Sequence, residues 1–470
     1  MNANWDHGDI QGLVFSGYGK RMVVASYHLL RIADPAAAKA WLADLLPRVT
    51  RGVPDDAPKP AEEQNFCLNV AFSHDGLAKL GLTAEALETF ELAFQEGMTS
   101  ERRTRILADF GPSAPDQWAW GNAAHPVDVL LLLFAPDVAR LATLEVGEGA
   151  KYLAHGLTQV VAPIATTPLE GASREHFGFA DGISQPVPVV PDDDEKTRSD
   201  PQAVPAGEFV FGYANAYGNE NLIPGREKLL IGPAKKPFGT NGSYVVFRQF
   251  EQDVSAFWNF LAARAGSRDR AEWLAAKIVG RWPSGARVRP GQTADPLSLV
   301  PDDDTFDLTD DPLGHGMPVG SHVRRSNPRG MQLADDPKTS LLVAQRHRVL
   351  RRGRNYGPRA ADKYQPDGQK RGLLFMALNA NIDRQFEFIM HTWVHNPVFG
   401  SLYQETDPLI GDPSRIVDPV TFQSAKETTF TVPADPFRER VHGVTRFVNV
   451  VGGAYFFLPG MDALAALAAG

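Results

Sequence analysis

Three stretches concentrate side chains able to do chemistry. In the first, Phe177 to Pro186, Asp181 stands between Gly178 and Gly182 in an otherwise apolar run. Glycines let a backbone approach a ligand closely, and desolvation raises a carboxyl's pKa, which is how an acid-base residue is made. A turn aspartate between two strands is the plain alternative. The second stretch, Gly320 to Arg329, carries His322 with Arg324, Arg325 and Arg329. A neutral imidazole can hold haem iron, and nearby guanidinium groups can hold propionates through charge-assisted hydrogen bonds. A lone histidine in a basic loop is otherwise a surface or capped residue. The third, Arg346 to Arg354, places five arginines within nine residues. Cations so crowded repel unless propionates, phosphates or carboxylates lie among them.

The elements that position these stretches follow from size and pattern. With 470 residues, 43% of them hydrophobic, the chain can bury one large core or two ordinary ones. Cys67 is its only cysteine, so no intramolecular disulfide and no thiolate metal cage can form. A net charge of -9 argues against a nucleic-acid partner, which the basic stretch alone would fit. The longest apolar run, Val129 to Ala135, is too short to cross a bilayer, and the first residues lack a secretory pattern. The expectation is a cytoplasmic protein that contacts no membrane.

An internal echo organises the chain. Tyr27, Arg31 and Trp41 recur with the same spacing as Tyr244, Arg248 and Trp258. Each copy reads as a β-rich run followed by an amphipathic helix. Two further strand and helix pairs follow in each half: Cys67 to Phe72 and Val127 to Phe134 first, then Leu373 to Leu378 and Tyr455 to Leu458. Two α+β units result, each an antiparallel sheet with helices on one side. The irregular spacing argues against a doubly wound parallel sheet. Long segments rich in Pro, Gly and Asp, Val187 to Gly207 and Arg281 to Gly320, read as stretches that carry function or disorder.

Rival motifs fall short. His391 and His395 have the spacing of two metal ligands on a helix but lack the glutamate of the zinc-protease signature. Phe238 to Gly242 lacks the Lys of a phosphate loop, and no Gly-x-Ser-x-Gly elbow is present.

Taken in order, the three stretches resemble the dye-decolourising peroxidase family. Gly178 to Gly182 matches its Gly-x-x-Asp-Gly motif, and His322 to Arg329 its His-x-Arg-x-x-Asn-Pro-Arg segment. Further landmarks run from Asp9–Gly12 through Gly207–Gly212 and Arg371–Phe375 to Gly452–Phe457, nearly the whole chain. The resemblance implies two ferredoxin-like halves, 1–215 carrying the aspartate motif and 216–470 holding one haem b, an iron protoporphyrin. It also implies a peroxidase that reduces hydrogen peroxide and oxidises dyes and phenolic or other aromatic reducing substrates. The alternative on the same fold is a deferrochelatase-like protein or haem carrier.

Carried over by position, Asp181 is the distal carboxyl, His322 the proximal ligand and Arg351 the distal arginine, with Arg352 the alternative if the match slips by one. Arg324 and Arg329 are expected at the propionates, and Leu373 and Phe375 on the distal wall. Asp383 is expected to hold the proximal imidazole, or Glu387 one turn later. Trp118 and Trp120 are candidate electron relays or packing residues. The connection from His322 to Arg351 is long for the family and leaves the loop path open.

Overall fold

The computed structural model describes residues 2–52, 65–169, 174–300, 302–331, 333–418 and 421–469. Its first half is built from β1 (Val24–Ile32), α1 (Pro35–Leu45), β2 (Cys67–Phe72), β3 (Val129–Ala135), α2 (Val138–Ala154) and β4 (Leu157–Gln159). The start of α1 is written in the sequence. Asp34 accepts hydrogen bonds from the amides of Ala36 and Ala37, and Pro35, which has no amide hydrogen to lose, opens the first turn.

The second half repeats the plan with β5 (Ser243–Gln252), α3 (Val254–Ala265) and α4 (Arg268–Val279). Then come a short helix α5 (His322–Ser326), short strands β6 (Leu350–Arg351) and β7 (Arg354–Tyr356), and β8 (Gly372–Asn379). Two π-helical segments, Asp383–Glu387 and Ile389–Val394, lead on to β9 (Val448–Leu458) and α6 (Met461–Ala469). Asp253 caps α3 through the amide of Ala256, as Asp34 caps α1.

Each half has the ferredoxin-like strand order. β4, β1, β3 and β2 lie side by side in the first, and β9, β5, β8 and then β6 with β7 in the second. The halves join through one register pair, Phe457 with Phe72, into a single large antiparallel sheet. Strand β8 therefore corresponds to β3, not to β2 as simple counting of strand and helix pairs suggests. The short β6 and β7, hidden inside the basic stretch, take the place of β2.

Period-two alternation then sorts the side chains into two cores. Ala25, Tyr27 and Leu29 of β1 meet Val245, Phe247, Leu374 and Met376 between the halves, with the Tyr27 and Phe247 rings 5.6 Å apart. The opposite faces, including Leu30, Val70, Leu131 and Val246, lie under helices with Trp41 and Trp258. Each large apolar side chain removed from water in this way contributes about 1.5–3 kcal/mol. The echo's tyrosines and tryptophans are all buried, but its arginines diverge: Arg31 is exposed and Arg248 is sealed inside.

Candidate active site

On the helix-covered side of the second half lies a cavity of about 400 Å³. The segment 175–185, the end of α4, α5, β6, β8 and the π-helical segments all line it. Strand alternation brings Leu373 and Phe375 to this cavity and turns Leu374 and Met376 into the core between the halves.

Asp181 reaches the cavity from a loop pinned at several points. Glu175 accepts from the amides of Phe177 and Phe179, each at 2.8 Å, and its other contact is the side-chain amide of Gln252 at 2.7 Å. Burial pushes the Glu175 carboxyl up, and these donors pull it back only in part. Gly178 and Gly182 adopt φ of +102° and +84°, so the turn around Asp181 needs residues without a Cβ. Ser184 carries the strain of a positive φ as well, and Arg281, Arg329, Arg348 and Asp304 all bond it.

Arg351 meets Asp181 across this space. Its Nη1 stands 3.5 Å from Asp181 Oδ1, while Nη2 donates to the Ile183 carbonyl at 2.6 Å. Pairing of β6 with β8, Arg351 opposite Ala377, fixes the backbone beneath it. Both side chains remain about one third accessible, 36% and 35%, so they are free to meet a small molecule. Arg352, the alternative, points elsewhere: it donates to the carbonyls of Leu13 and Val14 at 2.8 and 2.7 Å.

His322 opens α5 and lines the same cavity. Its Nδ1 donates to Asp407 Oδ2 at 2.9 Å, which leaves Nε2 as the ring's lone-pair nitrogen. Burial alone would drag the imidazole pKa down; the Asp407 carboxylate outweighs it and holds the value above the usual one. Asp407 is itself fully enclosed, and its Oδ1 accepts from the amides of Leu409 and Ile410.

This arrangement corrects the expectation for Asp383. That residue caps an ion cluster with Arg103 instead, and Glu387 bonds Arg103 at 2.6 Å and accepts from the Tyr455 hydroxyl at 2.6 Å. Neither carboxylate lines the cavity that His322 lines; both pair with Arg103. Asp407 lies 85 residues beyond His322, and its only local signal is the Asp-Pro turn of Asp407 and Pro408.

Arg324 is a second correction. It is fully buried and donates to the carbonyls of Asp311 and Met317 at 2.9 and 2.8 Å, holding the loop before α5 rather than lining the cavity. Its neighbour Arg325 bonds the carbonyls of Trp393, Asn396 and Glu405 and so ties α5 to the segment bearing Asp407. Arg329 does line the cavity. Trp118 and Trp120 are buried, at 3% and 0% exposure, and reach neither surface nor cavity.

The cavity has the chemistry of an amphiphilic, anionic guest. Its apolar wall includes Phe375, Phe386, Ile389, Met390 and Leu409, while Arg281, Arg329 and Arg348 crowd one region. Burial first, then mutual repulsion, depresses Arg329 to about 9, and Arg348 to about 10. Buried cations in such excess call for anions. The Nε of Arg329 has no protein partner, though it is buried. A flat tetrapyrrole with two carboxylates meets these demands, and an imidazole backed by a carboxylate meets those of its iron.

Fold and site together define an α+β protein of doubled ferredoxin-like halves with an acid, a guanidinium and a backed imidazole around one cavity. The sequence model described as the DyP dimeric alpha+beta barrel domain matches residues 9–146. The multifunctional dye peroxidase DyP2 of Amycolatopsis sp. is 30% identical, the match covering 85% of this chain and 82% of that protein. Dye-decolorizing peroxidase msp1 of Mycetinis scorodonius is 28% identical over 97% of this chain and 86% of its own. Among solved structures, a fungal DyP-type peroxidase from Auricularia auricula-judae superposes with a TM-score of 0.77 at 24% identity, covering 99% and 100% of the two chains. The DyP-type peroxidase of Anabaena sp. gives 0.78 at 22% identity, covering 98% and 94%. The chain belongs to the DyP-type peroxidase family.

Proposed function

We infer that this chain is a dye-decolourising peroxidase whose cavity holds one haem b on His322, with Asp181 and Arg351 acting on hydrogen peroxide. The observation that carries the reading is one cavity lined by an Asp181–Arg351 couple at 3.5 Å and by His322, with Asp407 behind the imidazole at 2.9 Å. Haem, when bound, would supply an iron centre able to exchange oxidising equivalents between peroxide and one-electron donors. Arg329 and Arg348 would hold the propionates, whose charge would offset the mutual repulsion of the arginines. Asp407 keeps a proton on His322 Nδ1, so Nε2 is the nitrogen that would hold the iron.

In the same cavity, the Asp181 carboxylate takes a proton from one peroxide oxygen and returns it to the other, which departs as water. The charge of Arg351 orients peroxide and stabilises the negative charge that develops as the O–O bond breaks. Leu373 and Phe375 keep this space narrow, so peroxide enters and bulky aromatic donors give up their electrons from outside. Two donors each supply one electron per peroxide, and with two protons the products are two waters. A haem or iron carrier has no use for a charged pair at peroxide's position, which favours the enzyme.

Stopped-flow mixing of the haem-loaded protein with peroxide, followed by turnover on an aromatic donor, tests the proposal. A rapid Soret change with many turnovers supports it. Reversible haem exchange without turnover refutes it.

A further inference from the structure

Behind the cavity wall, across Phe250, Met390, Ile410 and Val448, lies a second chamber that the peroxidase chemistry does not use. Asp109, Arg248, His395 and Arg446 bring polar groups to it. Asp109, Arg248 and His395 are all at least nine-tenths buried, at 2%, 0% and 2% exposure. Four of their atoms, Arg248 Nε and Nη1, Asp109 Oδ2 and His395 Nε2, have no protein partner. Unsatisfied groups sealed in this way cost about 1–3 kcal/mol each, more when charged, and native interiors resolve such costs with ordered water.

Hydrogen-bond direction can be assigned atom by atom. The Asp412 amide donates to His395 Nδ1 at 3.1 Å, so the neutral ring's own hydrogen sits on Nε2 and points away as a donor. Arg248 already gives Nη2 to Asp109 Oδ1 at 2.5 Å, leaving two donor nitrogens, while Asp109 Oδ2 remains an acceptor. The chamber thus offers three donor nitrogens and one acceptor oxygen, of which one water molecule can accept from two donors and donate to the acceptor. Its volume of about 10 Å³ is enough for one water and too small for a larger ligand. Arg248 and Arg446 disfavour a cation, and the free oxygen of Asp109 disfavours an anion.

We propose that this chamber binds a single structural water, bridging His395, Arg248 and Asp109, and that His395 thereby positions the segment bearing Asp407. The same segment runs from Glu405, held by Arg325, through Asp407 on His322, to Asp412 on His395. His395 is therefore a positioning residue: it does not line the large cavity but anchors the far end of the segment whose Asp407 holds His322. This inference rests on the proposed role of His322 only for its functional consequence; the water site stands without it.

A crystal structure of the haem-loaded protein, at a resolution that shows ordered water, tests the site. The expected result is one isolated peak within hydrogen-bond distance, about 2.7–3.2 Å, of His395 Nε2, an Arg248 nitrogen and Asp109 Oδ2. An empty chamber, or direct pairing of those groups, overturns it, as does an anomalous peak there after a bromide soak. His395→Phe tests positioning: hydrogen exchange across residues 405–412 should rise about tenfold, the loss of roughly one hydrogen bond. Unchanged exchange there overturns the positioning role, and the wild-type map decides the water site even if the variant fails to fold.

Discussion

Replacing Asp407 and Asp383 separately by asparagine distinguishes the carboxylate that serves His322 from one that does not. In Asp407→Asn the side-chain oxygen can still accept from Leu409 and Ile410, but the group now facing His322 Nδ1 at 2.9 Å is either neutral or itself a donor. The lost bond is charge-assisted and sealed from water, which places its worth at about 1.5–3 kcal/mol. At about 1.4 kcal/mol per decade, haem retention should weaken roughly 10- to 100-fold. Asp383 pairs with Arg103 and is 48% exposed at the side chain, so Asp383→Asn should change retention less than about threefold. Haem transfer to an excess of a scavenger protein, followed at the Soret band, measures both. Equal losses in the two variants, or a larger loss in Asp383→Asn, would refute the assignment of Asp407.

Other outcomes follow from the same geometry. Asp181→Asn should slow the peroxide step by about 10²- to 10⁴-fold in stopped flow with haem content unchanged, and a parental rate would remove its acid-base role. Arg351→Met should cost about 10²- to 10³-fold in that step, whereas Arg352→Met should leave the step within a few-fold. The latter should instead lower the denaturation midpoint, because the Leu13 and Val14 carbonyls lose their donors at about 1–3 kcal/mol each. Burial raises Glu91 and Glu387 to about 7, so the stability each lends is complete below its unfolded value and is lost as pH climbs through about 7. Urea midpoints should therefore fall between about pH 5 and 8 through these groups, and Glu387→Gln should flatten that slope; an unchanged slope would count against it.

Much of this architecture was legible because it rests on local rules. The Tyr, Arg and Trp echo marks equivalent first strands and helices, and the alternation of Leu373 and Phe375 with Leu374 and Met376 reads directly as two faces. What stayed hidden depends on contacts between distant residues. Strands β6 and β7 are too short for a periodicity signal, so the pairing of β8 shifts by one position in the count. Asp407 has no spacing relation to His322, while Asp383 sits on a helix where a partner looks natural. Arg324 and Arg325 are neighbours of the same type, and only the carbonyls around them separate a loop brace from a tie to the proximal segment. The Asp181 motif is the converse case, since its flanking glycines carry the positive φ values that the turn demands.

The most direct measurement is a crystal structure of the haem-loaded protein. The account predicts iron bound to His322 Nε2, with Asp181 and Arg351 together on the opposite face of the porphyrin. Iron held by His347, the other imidazole lining the cavity, or a porphyrin with those two side chains on the His322 side, would contradict it.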